Sequence, residues 1–360
     1  MPDQTHRSPG LVMTDHRFDV PLDYSQPDGA HISIFAREVV APAHEHDNLP
    51  MLVFFQGGPG SSAPRPSDNG GWLGRALKEF RVLLLDQRGT GLSTPVNHQT
   101  LARFKTAREQ ADYLKHFRAD NIVRDAEFIR AQLLGAGEKW SALGQSYGGF
   151  CITTYLSFAP EGLREAFITG GIPPALRTAE EVYRATYKRV LDKNKWYYER
   201  YPEDVVLVRQ IVDVIEKETV CLPQGDPLTA RRFQQIGMAF GASGGFEDIH
   251  FLLEQAIVDG ANGRELNYGF LLGIEEHTDY AAHPIFAILH ESIYGQGSAT
   301  NWAAERVRAE YPAVAITPDQ PVYFTGEMIF PWMFDEYRYL QPLKEAAELL
   351  AADDTWSPLY

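Results

Sequence analysis

Short apolar runs alternate with amphipathic segments through the first half of the chain. Four of these runs carry few polar side chains, which is typical of strands buried on both faces of a sheet. They are residues 51–55, 82–85, 140–143 and 166–169. Residues 122–134 repeat apolar positions at helical spacing and stop at Gly135, as a crossover helix would. Because residues 17–21 and 31–36 also have strand composition, the pattern predicts an α/β fold with a mostly parallel central sheet.

The pattern changes near Pro173 and Pro174, after which most segments have helical periodicity. The predicted helices are residues 178–194, 204–218, 227–240, 246–259 and 343–352. One late apolar run, residues 321–324, is predicted to be a strand. The chain is therefore expected to have an α/β core over residues 1–172, an inserted helical cap over 173–330, and a return to the core over 331–360.

Composition narrows the classes of function. The chain has 48 acidic and 33 basic residues, a formal net charge of −15 that disfavours nucleic acid as a partner. Cys151 and Cys221 are its only cysteines, too few for a disulfide framework and consistent with a reducing compartment. The sequence shows neither a signal-peptide core nor a run long enough to cross a membrane. We therefore expect a cytoplasmic protein with no membrane partner.

The sharpest motif lies where the predicted strand 140–143 meets a helical segment. Its residues are Gly144-Gln145-Ser146-Tyr147-Gly148, a G-x-S-x-G nucleophile elbow in the required strand-to-helix context. The turn forces strained backbone at the serine, so small residues are needed on both sides. A chance glycine-rich turn is the alternative, but the flanking strand and helix favour Ser146 as a catalytic nucleophile.

A second glycine-rich segment, residues 56–60, directly follows an apolar run. Backbone N–H groups there could face a developing oxyanion, and we expect Gly58 and Tyr147 to donate them. The same glycines also fit a dinucleotide-binding pattern, but Pro59 and later prolines prevent the helix that such a site needs. Asp86 also lies farther on than the roughly 20 residues of that pattern. No cofactor is therefore expected.

A glycine-punctuated turn, residues 86–93, follows the predicted strand 82–85. Asp86 and Arg88 could form a buried charge pair within it. The turn is therefore predicted to have a structural role.

Together these motifs resemble those of the prolyl aminopeptidase (proline iminopeptidase) family of α/β-hydrolases. The resemblance spans about residues 15 to 360. It rests on residues 57–60, 86–93 and 144–149, with further similarity at 289–291 and 325–327. Gln56 departs from the family pattern, which usually has histidine at that position. The resemblance implies an α/β-hydrolase fold and a metal-free Ser-Asp-His mechanism that removes N-terminal proline from peptides.

The resemblance also implies roles for individual residues. Ser146 would be the nucleophile, Gly58 and Tyr147 the oxyanion-hole donors, and Gly57 part of the substrate-binding loop. Glu327 resembles the family's cap glutamate, which binds the free imino group of the substrate, and Glu291 is a second candidate for that contact. A carboxylate suits this purpose because the substrate's secondary amine is protonated. No metal site is implied.

The order of the triad along the chain raises a difficulty. In α/β-hydrolases the serine is followed by the acid and then by the histidine, but no histidine follows His290 here. We therefore expect this sequence to lack the triad aspartate and histidine together with the last strands of the fold. Two alternatives stay open: a hydrolase of small esters or amides, and a non-catalytic pseudo-hydrolase that binds a ligand. An uncovered sheet edge would also favour self-association as a homo-oligomer.

Overall fold

The computed structural model describes residues 4–261 and 263–360. The strands in these residues are β1 (Gln4–Ser8), β2 (Leu11–Pro21), β3 (His31–Val40), β4 (Met51–Phe55), β5 (Arg81–Asp86), β6 (Trp140–Gln145), β7 (Leu163–Thr169), β8 (Ile257–Gly260) and β9 (Gly263–Leu266). The helices are α1 (Gly71–Ala76), α2 (His98–Leu101), α3 (Ala107–Leu114), α4 (Ala119–Leu134), α5 (Tyr147–Phe158), α6 (Ala179–Arg200), α7 (Asp204–Lys217), α8 (Ala230–Gln234), α9 (Gly245–Glu254), α10 (Tyr268–His277), α11 (Ile285–Leu289), α12 (Ala303–Arg308), α13 (Met333–Glu336) and α14 (Lys344–Ala351).

The seven-stranded sheet has the order β1-β2-β3-β5-β4-β6-β7. β4 pairs in parallel with β5 and with β6, and β6 pairs in parallel with β7. The first three strands run antiparallel to their neighbours and extend the sheet beyond β5. The predicted α/β fold with a parallel central sheet is confirmed.

The centre of the sheet is buried on both faces. All five residues of β4 are buried, and they alternate between two apolar clusters. Val53 and Phe55 pack in the cluster that contains residues of α4 and α5, whereas Leu52 and Phe54 pack with Leu73 of α1. This alternation explains why the strand has no polar position, and it fixes the ends of β4 and β6 next to one another.

β7 differs from the prediction of a strand buried on both faces. It pairs only with β6 among the described strands, and its residues from Arg164 to Phe167 are exposed. Phe167 keeps 42% of its surface accessible. The prediction was wrong because an apolar run does not distinguish a central strand from an edge strand.

The chain divides into two compact units. The first contains residues up to Leu176 together with His283–Ala299 and Asp353–Tyr360, and the second contains Arg177–Ala282 and Thr300–Ala352. The boundary expected after residue 172 thus lies near residue 176. The segment from 283 to 299, which was expected in the cap, belongs to the first unit. Most of residues 331–360 belong to the second unit, and only the last eight belong to the first.

The second unit is mainly helical and has its own apolar core, with α6, α7 and α9 contributing to it. No helix in the described part of the chain is both long enough and apolar enough to span a bilayer.

The strand predicted over residues 321–324 is absent from the described structure, although Val322 and Phe324 are buried. Side chains take the place of a neighbouring strand. The Asn194 amide accepts from the Phe324 N–H at 2.7 Å and donates to the Phe324 carbonyl at 3.0 Å. Tyr198 donates to the Val322 carbonyl at 2.5 Å. The alternating burial is therefore that of an extended segment and not of a sheet strand.

The helix predicted over residues 246–259 is also shorter than expected. α9 ends at Glu254, and β8 and β9 then form an antiparallel hairpin. The β-branched pair Ile257 and Val258 could have indicated the first strand of this hairpin.

Candidate active site

Ser146 occupies the turn between β6 and α5. Its backbone has φ 54° and ψ −121°, a conformation that residues with a side chain rarely adopt. The residue is half-buried, and its N–H donates to the Thr169 carbonyl at 3.1 Å. The strained turn that the motif predicts is therefore present at this serine.

Glycines around Ser146 allow backbone segments to approach more closely than any side chain would permit. A Cβ on Gly144 would lie 2.3 Å from the Gly148 carbonyl oxygen, and one on Gly148 would lie 2.0 Å from the Phe55 carbonyl oxygen. A Cβ on Gly171 would lie 1.8 Å from the carbonyl oxygen of Ser146 itself. The turn is therefore held between β4 and the segment that follows β7.

The glycine-rich segment after β4 lies beside this turn. A Cβ on Gly57 would be 3.0 Å from the Cβ of Ser146, so Gly57 lies directly beside this serine. Gly58 has φ 125°, which favours glycine strongly. Gly60 is close to α11, because a Cβ there would lie 2.9 Å from the Cβ of Ile285. The structure thus brings Gly57 and Ser146 together.

Tyr147 is the first residue of α5. The first N–H groups of a helix have no partner within it, and the helix dipole makes this end favourable for negative charge. The Tyr147 ring is buried, and burial raises the pKa of its hydroxyl well above the usual range. The phenol therefore stays neutral, and the backbone N–H is the group available at this end of the helix.

The turn over residues 86–93 does not contain the predicted ion pair between Asp86 and Arg88. Asp86 pairs with Arg65, and Arg88 pairs with Asp125 of α4 at 2.6 Å. The Arg88 guanidinium also donates to the carbonyls of Leu22 and His116 at 2.9 and 2.8 Å. The two side chains have separate partners because each has a distant group of opposite charge that the sequence does not reveal.

Glu291 and His290 lie in the first unit, next to α11, and both are buried. The His290 ring is 4.8 Å from that of Phe286 and 6.4 Å from that of Tyr294. Tyr294 in turn lies 6.0 Å from Phe150 of α5. The segment that carries Glu291 therefore packs against the helix that begins beside Ser146.

Glu327 lies in the second unit and is exposed. It lines a cavity of about 260 Å³ whose wall includes Val190, Phe240 and Lys193. Three aromatic residues that follow Glu327 are buried and are not part of that wall. These are Phe330, Trp332 and Phe334.

Comparison with known proteins agrees with this geometry. Residues 50–254 match the α/β hydrolase fold family. The proline iminopeptidase of Aeromonas sobria is 52% identical over 352 residues, which cover 98% of this chain and 81% of that protein. The proline iminopeptidase aneH of Aspergillus aculeatus is 38% identical over 368 residues, covering 99% of this chain and 81% of that protein.

The parallel sheet and the serine at the sharp turn define an α/β-hydrolase. With relatives this similar along nearly the whole chain, the chain belongs to the proline iminopeptidase family of these hydrolases.

Proposed function

We propose that the protein removes proline from the N-terminus of peptides and that Ser146 is its nucleophile. Ser146 Oγ would attack the carbonyl carbon of the first residue, form an acyl-enzyme and release the shortened peptide. Water would then release proline and regenerate the serine. The observation that carries this proposal is the strained turn at Ser146, held by glycines, in a chain of this family.

Gly58 and Tyr147 would stabilise the oxyanion of each tetrahedral intermediate through their backbone N–H groups. The contact between Gly57 and Ser146 supports this role, because it brings the start of the glycine-rich segment to the nucleophile. Gly57 would also form part of the surface against which the substrate backbone lies. Fixed donors of this kind reduce the barrier because they need no reorganisation during the reaction.

Glu327 would bind the protonated imino group of the substrate. Its exposed carboxylate lies at a cavity whose wall includes the apolar side chains of Val190, Met238 and Phe240, which supports this role, since a proline ring is apolar and its nitrogen is cationic. Glu291 would be a second partner for that nitrogen. It is the weaker of the two candidates because its carboxylate is buried beside α11.

Turnover of proline p-nitroanilide before and after Ser146→Ala tests the nucleophile. We expect the variant to form no acyl-enzyme, seen as loss of any burst of p-nitroaniline, and to keep only the residual turnover that the oxyanion hole and binding supply. The melting temperature should not change, because only the hydroxyl is removed. p-Nitrophenyl acetate serves as the comparison substrate. Hydrolysis of the ester alone would instead favour the alternative of a small-ester hydrolase.

Replacing Glu327 by Gln tests the binding of the imino group. We expect kcat/KM for the proline anilide to fall by about tenfold or more, mainly through KM, because a charge partner of the substrate is lost. Glu199→Gln removes an exposed carboxylate that does not line the cavity and is the matched control. Equal kcat/KM in both variants would show that Glu327 does not bind the substrate.

We also place the protein in the cytoplasm, without a nucleic-acid partner. The two free cysteines, Cys151 and Cys221, support a reducing compartment. The formal net charge of −15 supports the exclusion of nucleic acid.

A further inference from the structure

We propose that Asp86 and Gln87 are positioning residues for the oxyanion hole. Their side chains accept or donate hydrogen bonds at the two ends of the glycine-rich segment that follows β4, and this segment contains Gly58. We call these two contacts the clamp. This inference rests on the proposed function, because it assumes that the Gly58 N–H contacts the oxyanion.

Asp86 fastens the far end of the segment. Its side chain is fully buried at the end of β5. One carboxylate oxygen accepts from the Ala63 N–H at 3.0 Å and from the Arg65 guanidinium at 3.1 Å. The other oxygen accepts from the Leu92 N–H at 2.7 Å and from a second Arg65 nitrogen. One carboxylate therefore joins the end of the glycine-rich segment to the turn after β5.

Gln87 fastens the near end. Its amide Nε2 donates to the Gln56 carbonyl at 3.0 Å, immediately before the glycines, and the side chain is buried. Adjacent residues of the turn thus hold the positions that bracket residues 57–62.

The turn that supplies these two side chains is itself firmly held. Ser93 Oγ donates to the Asp86 carbonyl at 2.6 Å and accepts from the Phe35 N–H at 2.9 Å. A Cβ on Gly91 would lie 2.2 Å from a carboxylate oxygen of Asp86, so only glycine leaves room there. Because Arg88 is anchored to Asp125, the turn is a fixed support for the segment beside it.

Such a support matters because glycine-rich backbone is flexible in the absence of external contacts. An oxyanion donor is effective only if it is already in place when charge develops, and a displacement of about 1 Å can reduce the rate by about 100-fold. The cost of burying the Asp86 charge is offset by a guanidinium and two backbone N–H groups. The clamp therefore holds Gly58 in a fixed position, and the cost of doing so is the burial of one carboxylate charge.

Two variants test the clamp separately. Asp86→Asn keeps the shape but places an amide N–H₂ against groups that all donate, and Gln87→Met removes one donor without adding charge. Glu127→Gln is the matched control, since it disrupts a carboxylate–arginine pair, with Arg130, whose hydrogen bonds include neither the glycine-rich segment nor the turn after β5. Amide hydrogen exchange of residues 57–62, the rate at which a fluorophosphonate labels Ser146, and kcat and KM for proline p-nitroanilide are the measurements.

We expect exchange in residues 57–62 to accelerate by about tenfold or more in both variants. We also expect labelling and kcat to fall by about 10- to 100-fold while KM changes by less than about threefold. The control should lower the melting temperature and leave exchange of this segment unchanged. Should Asp86→Asn fail to fold, Gln87→Met still carries the test.

Two results would overturn the inference, and they differ in what they say of the proposed function. Unchanged exchange in residues 57–62 would show that the clamp does not hold the segment, whatever happens to Ser146 chemistry. Faster exchange with unchanged labelling and kcat would show that the segment is held but that Gly58 is not an oxyanion donor, which contradicts the role given to it above.

Discussion

Ser146 has an unfavourable backbone conformation because the backbone segments packed around it exclude the alternative conformations. The carbonyl oxygen of Ser146 lies where a side chain on Gly171 would be, and Gly148 lies directly against β4. Strain at a nucleophile persists only when the surrounding structure determines it more strongly than the local preference does. The conformation of this serine therefore depends on the surrounding backbone more than on its own preference.

Gly148→Ala should destabilise the protein by about 2 kcal/mol or more. The added methyl would lie 2.0 Å from the Phe55 carbonyl oxygen, and central strand β4 cannot move to accommodate it. Gly137→Ala is the control, because no atom lies within 4 Å of a Cβ there. It should change the free energy of unfolding by less than about 1 kcal/mol. Urea unfolding of both variants measures the difference, and equal stabilities would contradict the packing argument.

Single residues were predictable wherever spacing alone carried the information. Ser146 and its flanking glycines follow from a five-residue motif, and the structure has the strained turn there. The partners of Asp86 and Arg88 were not predictable in this way. Both arginine–carboxylate pairs join residues more than 20 positions apart, and only the folded chain shows which groups meet.

At the level of elements, α4 anchors two segments that return to the first unit late in the sequence. Arg118, just before this helix, donates to the carbonyls of Ser292 at 2.9 Å and of Gly295 and Ser357 at 2.7 Å. Burial lowers the pKa of this guanidinium, and arginine side chains stay protonated in proteins. One side chain therefore attaches both the segment that carries Glu291 and the last residues of the sequence.

Arg118→Met should release these two segments. Two buried carbonyls and one partly buried carbonyl would lose a charged donor, and we expect a loss of about 3 kcal/mol or more in the free energy of unfolding. Hydrogen exchange should accelerate in residues 285–297 and 353–360 before it does so in the central sheet. Arg124→Met, on the exposed side of the same helix, is the control. Protection that stays the same in both variants would show that other contacts hold the segments.

Elements were predictable where periodicity and burial agree. The central strands, α4 and α7 form close to the predicted positions, and α6 begins as predicted but continues to Arg200. The strand predicted over residues 321–324 does not form, because the side chains of Asn194 and Tyr198 make the hydrogen bonds to its backbone. A segment bonded by side chains has the same alternation of apolar residues as one paired with a neighbouring strand. The segment of 283–299 was placed in the cap because its helical pattern does not indicate which unit it packs against.

For the whole molecule, β7 is the feature most relevant to association. It has a free edge among the described strands, with Phe167 exposed on it and Leu156 and Phe158 exposed on α5. An open edge with apolar neighbours favours pairing with another copy. We expect concentration-dependent self-association by sedimentation velocity, and Phe167→Lys should weaken it. Leu176→Lys, which alters an exposed loop residue, should not. A monomer at all concentrations would contradict this prediction.

The 360-residue chain should hydrolyse proline p-nitroanilide slowly. No histidine follows His290 in the sequence, so we expect Ser146 to act here without a triad base. Such a serine retains only the part of catalysis that the oxyanion hole and binding supply. We expect a rate no more than about 10³- to 10⁴-fold above the uncatalysed reaction. A faster rate that His290→Gln abolishes would identify this buried histidine as the base and refute the expectation.

The return of distant segments to the first unit also affects its assembly during synthesis. Lys115 contacts Thr355, 240 positions later, at 2.7 Å. At 5 to 20 residues per second, a ribosome needs about 10 to 50 s to make the intervening chain. Throughout that interval the nascent sheet lacks the last residues of the sequence, which Arg118 binds in the folded protein. Apolar helix faces of the first unit are then accessible to non-specific contacts with other molecules. We therefore expect the yield of native protein in cells to depend on chaperones that bind nascent chains, more than its final stability would suggest.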